Sequence, residues 1–142
     1  MKTTCSVTVD FTGAHRLVGL DIPCSALHGH YYKATFTFES KNLNDGMVIE
    51  FENTEAKIRK WFTDNWDHNI ILHKSDKKLG EAISKITKQK IFYVSFNPTA
   101  ENLGQYLISE VCPKLFAKSG AVCTQIHMQE TPKYSATVKL GS

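Results

Sequence analysis

Cys24-Ser25-Ala26-Leu27-His28-Gly29-His30 sets one thiol and two imidazoles just ahead of a strand-like run. Side chains alternate faces along a strand, so His28 and His30, with a glycine between them, point the same way and can chelate one metal ion. Tyr32, Ala34, Phe36 and Phe38 continue that parity, while Lys33, Thr35, Thr37 and Glu39 take the other face. The two imidazoles therefore belong to the core-facing side, where each ring nitrogen needs a partner. A third imidazole is offered upstream. Cys5, Val7, Val9 and Phe11 alternate with Thr4, Ser6, Thr8 and Asp10, and His15 falls on the apolar parity if the strand continues; a bulge near Gly13 would shift it. Three neutral imidazoles with an open fourth position make a catalytic zinc site, whereas structural zinc closes with four cysteine or histidine ligands. The expected ligands are His15, His28 and His30, and the expected cofactor is Zn2+.

Three further positions carry chemistry. Cys24 lies outside the parity of the histidine pair, and a thiol near a zinc site and an imidazole is held partly as thiolate; it reads either as a general base or as a fourth ligand. Asp67 and His68 are adjacent, a carboxylate beside an imidazole that can change charge near neutral pH. Glu130 ends a strand-like run in which Ile126 and Met128 share its parity, so its carboxylate points with apolar side chains and demands donors. His73 and His127 fall in no motif.

The elements that must position these groups follow from period and punctuation. Strands are expected at 3 to 11 and 30 to 39, separated by a loop containing Gly13, Gly19 and Pro23, and both alternate as antiparallel strands with one covered face do. Asn44-Asp45-Gly46 signals a turn into a short strand at Met47 to Phe51. Asn53 or Thr54 is placed to cap a helix through about Asn65, with Ile58, Trp61 and Phe62 as its apolar stripe. A helix is expected at 76 to 88 and a strand at Ile91 to Phe96. A second clear helix opens at Pro98-Thr99, with Thr99 as cap and Leu103, Leu107, Ile108, Val111 and Leu115 recurring at helical period until Pro113 kinks or ends it. Strands near Val122 to Glu130 and Tyr134 to Leu140, joined by a Thr-Pro-Lys turn, complete an α+β domain in which two helices cover one sheet face.

The counts agree with one globular domain over residues 1 to 142. The chain is 42% hydrophobic with a net charge of +3. Its two arginines, Arg16 and Arg59, give nucleic-acid binding little support. Lysines 74, 77, 78, 85, 88 and 90 read as a solvated helix face. Four cysteines without a CxxC pair, and a start lacking an apolar signal core, place the expected protein in the reducing cytoplasm with no membrane partner.

FTGAHRL at 11 to 17 with CSALHGH at 24 to 30 resembles the zinc-binding half of the 6-pyruvoyltetrahydropterin synthase and 6-carboxytetrahydropterin synthase family. The resemblance recurs in order at DGMVIEF (45 to 51), DHN (67 to 69), PTAEN (98 to 102) and QET (129 to 131), with Glu50 where family members usually carry aspartate; residues 74 to 96 match no motif. It implies the tunnelling fold, in which four-stranded antiparallel sheets, each with two main helices on one face, join edge to edge into a barrel. It also implies a homo-oligomer, a hexamer built as a dimer of trimers with the site at the subunit interface. By the same resemblance Cys24 is the general base, Asp67 and His68 are its proton-transfer partners, Glu130 anchors the pterin through two N–H donors, and Thr99 and Glu101 are lesser pterin contacts. The spacing CxxxHGH resembles the queuosine-pathway 6-carboxytetrahydropterin synthases rather than the longer CxxxxxHGH of eukaryotic-type 6-pyruvoyl synthases. The implied reaction converts 7,8-dihydroneopterin triphosphate into 6-carboxy-5,6,7,8-tetrahydropterin with loss of triphosphate and acetaldehyde. A 6-pyruvoyltetrahydropterin synthase, stopping after triphosphate elimination, and a non-catalytic zinc-stabilised binding module are the alternatives.

Overall fold

A computed structural model describes residues 1–141. The alternating segments pair as a long hairpin, β1 (Thr4–His15) against β2 (His28–Ser40), in unbroken register from Thr4 opposite Glu39 to His15 opposite His28. The first strand thus runs four residues beyond its expected end, and no bulge interrupts it at Gly13. After β2, Asp45 and Gly46 take positive φ in a tight turn closed by reciprocal Asn44–Met47 backbone hydrogen bonds. The strand expected at Met47 to Phe51 does not form. Glu50 instead caps α1 (Phe51–Asn65), its carboxylate accepting from the amides of Glu52 at 3.0 Å and Asn53 at 2.6 Å. A capping carboxylate offsets the unpaired N–H groups of the first turn, so Glu50 takes the role expected of Asn53 or Thr54.

The chain continues through β3 (Asn69–His73), α2 (Lys77–Thr87), β4 (Ile91–Val94), α3 (Ala100–Tyr106), a π-helical turn (Leu107–Val111), α4 (Cys112–Leu115), β5 (Ala121–Gln129) and β6 (Ser135–Lys139). The sheet has six strands in the order β4-β3-β1-β2-β5-β6. This corrects the four-stranded antiparallel expectation. β1, β2, β5 and β6 do form such a set, but β3 runs parallel to the end of β1, from Gly13 opposite Asn69 to His15 opposite Ile71, and β4 runs parallel to β3. Ile70, Ile71 and Leu72 of β3 are all buried, and a strand covered on both faces shows no alternation to read.

The core fills one face of the sheet. Phe11 stacks on Tyr32 with centroids 4.7 Å apart, and Phe62 and Trp66, at and just after the end of α1, close over Phe11 at 4.4 and 5.6 Å. Leu103, Leu107, Ile108 and Val111 bring the second helical stretch onto the same core. Pro113 lacks an N–H, and the π-helical turn just before it absorbs the break, so helix resumes to Leu115. The opposite face is polar: Thr8, Thr35, His127 and Thr137 are register partners across four strands, with Thr8 and Thr35 hydroxyls 2.8 Å apart and His127 Nδ1 2.9 Å from Thr137 Oγ1. All six lysines between 74 and 90 are exposed. Among the described residues no helix is long and apolar enough to cross a membrane.

Candidate metal centre

The three expected histidines meet at the closed end of the β1–β2 hairpin. His15 and His28 face each other as register partners, and His30 follows on the same face of β2. One ligand nitrogen from each lies within 4.8 Å of the others, and among the described residues Cys24, Asp67 and His68 are not in that group. His15 is buried, while His28 and His30 are half-buried.

Backbone carbonyls decide which nitrogens are bare. His15 Nδ1 lies 2.6 Å from the Pro98 carbonyl oxygen, and His28 Nδ1 lies 2.6 Å from that of Ala26. A carbonyl only accepts, so each Nδ1 carries the proton and each Nε2 presents a lone pair. Those two Nε2 atoms stand 3.2 Å apart. Two lone pairs at that distance repel unless a cation lies between them, and nitrogens at about 2.0 to 2.1 Å from a tetrahedral metal stand roughly 3.3 Å from each other. His30 Nε2 is buried without a hydrogen-bond partner. The donor set therefore fits a metal ion. Burial holds His15 down to about 4, against the helping Pro98 carbonyl and with His28 and His30 lowering it further. Burial likewise lowers His30, opposed by the Glu130 carboxylate. Neutral imidazole is the metal-binding form.

Glu130 arrives at the same place from β5. Its Oε1 lies 3.2 Å from His30 Nε2, a close approach outside hydrogen-bond geometry, with both side chains more than four-fifths buried. The parity argument thus put Glu130 on the correct face. Beneath the triad Tyr32 is buried with its hydroxyl 3.3 Å from His15 Nδ1, and burial pushes its phenol pKa up.

Cys24 sits half-buried in a single 3-10 turn, Pro23–Ser25, whose Cys24 carbonyl accepts the Leu17 amide at 3.1 Å. The loop carrying it is clamped by Asn97, which accepts from Val18 N at 2.7 Å and donates to Val18 O at 3.0 Å. Asp67 and His68 fall outside the histidine group. Asp67 Oδ1 accepts the Thr12 amide at 2.9 Å and stands 3.1 Å from His68 Nδ1; His68 adopts φ 59°, donates its amide to Thr12 O, and leaves its ring 79% exposed. Among the described residues no hydrogen bond or ion pair joins this pair to the triad. Thr99 caps α3, accepting from Asn102 N at 3.1 Å, and Glu101 is exposed. His73 caps the turn after β3, accepting from Ser75 N.

Sequence reasoning missed the supports: the Pro98 and Ala26 carbonyls and the Asn97 clamp. Backbone acceptors leave no side-chain pattern, and an asparagine before a proline reads as turn punctuation.

The profile of the family described as 6-pyruvoyl tetrahydropterin synthase matches residues 4–140. The chain is 39% identical over 129 residues to a Rickettsia bellii protein named 6-carboxy-5,6,7,8-tetrahydropterin synthase, covering 90% of this chain and 94% of that one. It is 40% identical over 128 residues to the Rickettsia typhi protein of the same name, covering 89% and 93%. The fold is similar to that of an uncharacterized protein, WS1659, from Wolinella succinogenes, with TM-score 0.82 and 20% identity over 98% of both chains. It is also similar to Caenorhabditis elegans 6-pyruvoyl tetrahydropterin synthase, with TM-score 0.64 and 21% identity over 99% of this chain and 97% of that one. The profile match and these identities show that the chain belongs to the 6-pyruvoyl tetrahydropterin synthase family.

Proposed function

We propose that the protein is a zinc-dependent 6-carboxy-5,6,7,8-tetrahydropterin synthase, a lyase that converts 7,8-dihydroneopterin triphosphate and water into 6-carboxytetrahydropterin, acetaldehyde and triphosphate in queuosine biosynthesis. The observation that carries the reading is the convergence of three histidine nitrogens within 4.8 Å of one another with the Glu130 carboxylate 3.2 Å from one of them, His30 Nε2. The CxxxHGH spacing and the names of the Rickettsia relatives select the 6-carboxy product over the 6-pyruvoyl one.

His15, His28 and His30 hold the zinc. When bound, zinc would polarise a substrate oxygen and stabilise the negative charge that develops beside it. Cys24 removes the substrate proton, and its separation from the histidine group favours base over fourth ligand. Glu130 accepts the two N–H donors on the pterin edge in a bidentate contact, with Thr99 and Glu101 beside it. Asp67 and His68 pass protons to or from Cys24 of a neighbouring subunit, which accounts for the exposure of the His68 ring. A hexameric assembly is supported by the edge that β1 leaves over Thr4 to Val9, since β1 pairs with β3 only over Gly13–His15. We place the activity in the cytoplasm, consistent with four free cysteines.

Incubating the zinc-loaded protein with 7,8-dihydroneopterin triphosphate and weighing the products tests this reading. Release of acetaldehyde with 6-carboxytetrahydropterin is expected. Accumulation of 6-pyruvoyltetrahydropterin would move the protein to the other branch, and an unchanged substrate would make it a zinc-binding module.

A further inference from the structure

We propose that Glu130 is shared between the histidine triad and the pterin, so that metal loading and pterin binding are linked through one carboxylate and the metal-free protein binds pterin weakly. The proposal rests on the pterin reading of Glu130. Among the described residues no hydrogen bond from the chain reaches the Glu130 carboxylate; its ion-pair contact is His30 Nε2, at 3.2 Å. His30 Nε2 is in turn buried without a hydrogen-bond partner. His30 Nε2 is thus held out of water beside a neighbour that satisfies it poorly, while the Glu130 side chain keeps 18% of its surface exposed and its carboxylate has no donor from the chain; such an arrangement costs free energy unless other partners arrive.

The missing partners differ in kind. His30 wants a cation on its lone pair, and Glu130 wants N–H donors. A neutral imidazole carries a single N–H; placed on Nε2 it stands 3.2 Å from Glu130 Oε1, and a small rotation of either side chain makes that carboxylate its acceptor and occupies an oxygen the pterin edge needs. A metal on the triad takes the imidazole lone pair, removes the competing donor, and frees both carboxylate oxygens for the ligand. Linkage is reciprocal, so pterin must tighten the metal by the factor with which the metal tightens pterin. The order of assembly that follows is metal first and pterin second.

The test uses 7,8-dihydropterin, which lacks side-chain oxygens that could reach a metal directly. It is titrated calorimetrically into zinc-loaded and chelator-stripped protein, and zinc is titrated with and without saturating dihydropterin. The expected result is at least tenfold tighter dihydropterin binding to the loaded protein, an equal gain in zinc affinity, and loss of both gains in Glu130→Gln. Equal or weaker binding to the loaded protein overturns the linkage and leaves the pterin reading intact. A persistent zinc effect in Glu130→Gln assigns the coupling to another group and overturns the role of this carboxylate. No binding of dihydropterin to loaded wild type overturns the pterin reading and the linkage with it.

Discussion

His15 Nδ1 donates to the carbonyl oxygen of Pro98 at 2.6 Å, so the residue just ahead of the α3 cap also fixes the ring orientation of the most buried imidazole in the triad. An outer partner of this kind sets which nitrogen faces the metal. It ties the two halves of the chain, β1 and the segment after β4, to a single coordination geometry.

Replacing His15, His28 or His30 by alanine is expected to remove zinc and turnover together, because a three-ligand site loses a third of its donors. Elemental analysis of the purified variants is the check. A variant that keeps one zinc per chain removes its residue from the ligand set.

Cys24→Ala is expected to keep zinc and fold while turnover falls by roughly a hundredfold to ten-thousandfold, the usual contribution of a positioned base. Zinc content measured beside activity separates the two roles. Zinc lost from that variant makes Cys24 a ligand.

Glu130→Gln in the zinc-loaded protein is expected to weaken binding of a pterin analogue by roughly five- to over a hundredfold, with zinc retained. An amide offers one acceptor and one misplaced donor to a ligand edge that presents two donors, and such a buried mismatch costs about 1 to 3 kcal/mol. Equal dissociation constants for the two proteins would end the pterin assignment of this residue.

The metal-free protein should lose stability as pH falls from about 6.5 toward about 4. His15 moves from its ordinary 6.5 down to about 4 on folding because burial disfavours the imidazolium. Between those values the unfolded chain binds the extra proton, so the contribution is complete above 6.5 and disappears as pH falls to the folded value. The full span corresponds to about 3 kcal/mol. Urea titrations across that window, on chelator-stripped wild type and His15→Gln, should give a shallower pH slope in the variant; identical slopes would refute the assignment to His15.

Asn97→Ala breaks both side-chain bonds to Val18. It should cost about 1 to 3 kcal/mol in unfolding free energy. Turnover should fall with zinc unchanged, since the loop it holds carries Cys24 and no metal ligand. A variant as active and as stable as wild type would show that the loop needs no clamp.

Much of the site was legible because a strand repeats every two residues. That period alone put His28 and His30 on the core face, carried His15 to join them once β1 ran unbroken through Gly13, and turned Glu130 inward behind Ile126 and Met128. The same rule was blind to β3, where Ile70, Ile71 and Leu72 are buried in succession, and it mistook Met47 to Phe51 for a strand because Glu50 works as a helix cap rather than a strand residue. The Asp67-His68 pair could be picked out by type but not placed. Its position depends on the Thr12 backbone, at the point where β3 joins the sheet.

The last register pair of the long hairpin is His15 opposite His28, immediately before the connection formed by residues 16–27. Ladders breathe most readily at their ends, and amide exchange with solvent reports that opening. The groups that must hold a metal to within tenths of an ångström thus occupy one end of the hairpin ladder, where pairs open more readily than in its middle. An ion bridging the two strands there acts as a clasp on the zipper, and amides near residues 13 to 15 and 28 to 30 should exchange more slowly in the loaded protein than in the stripped one.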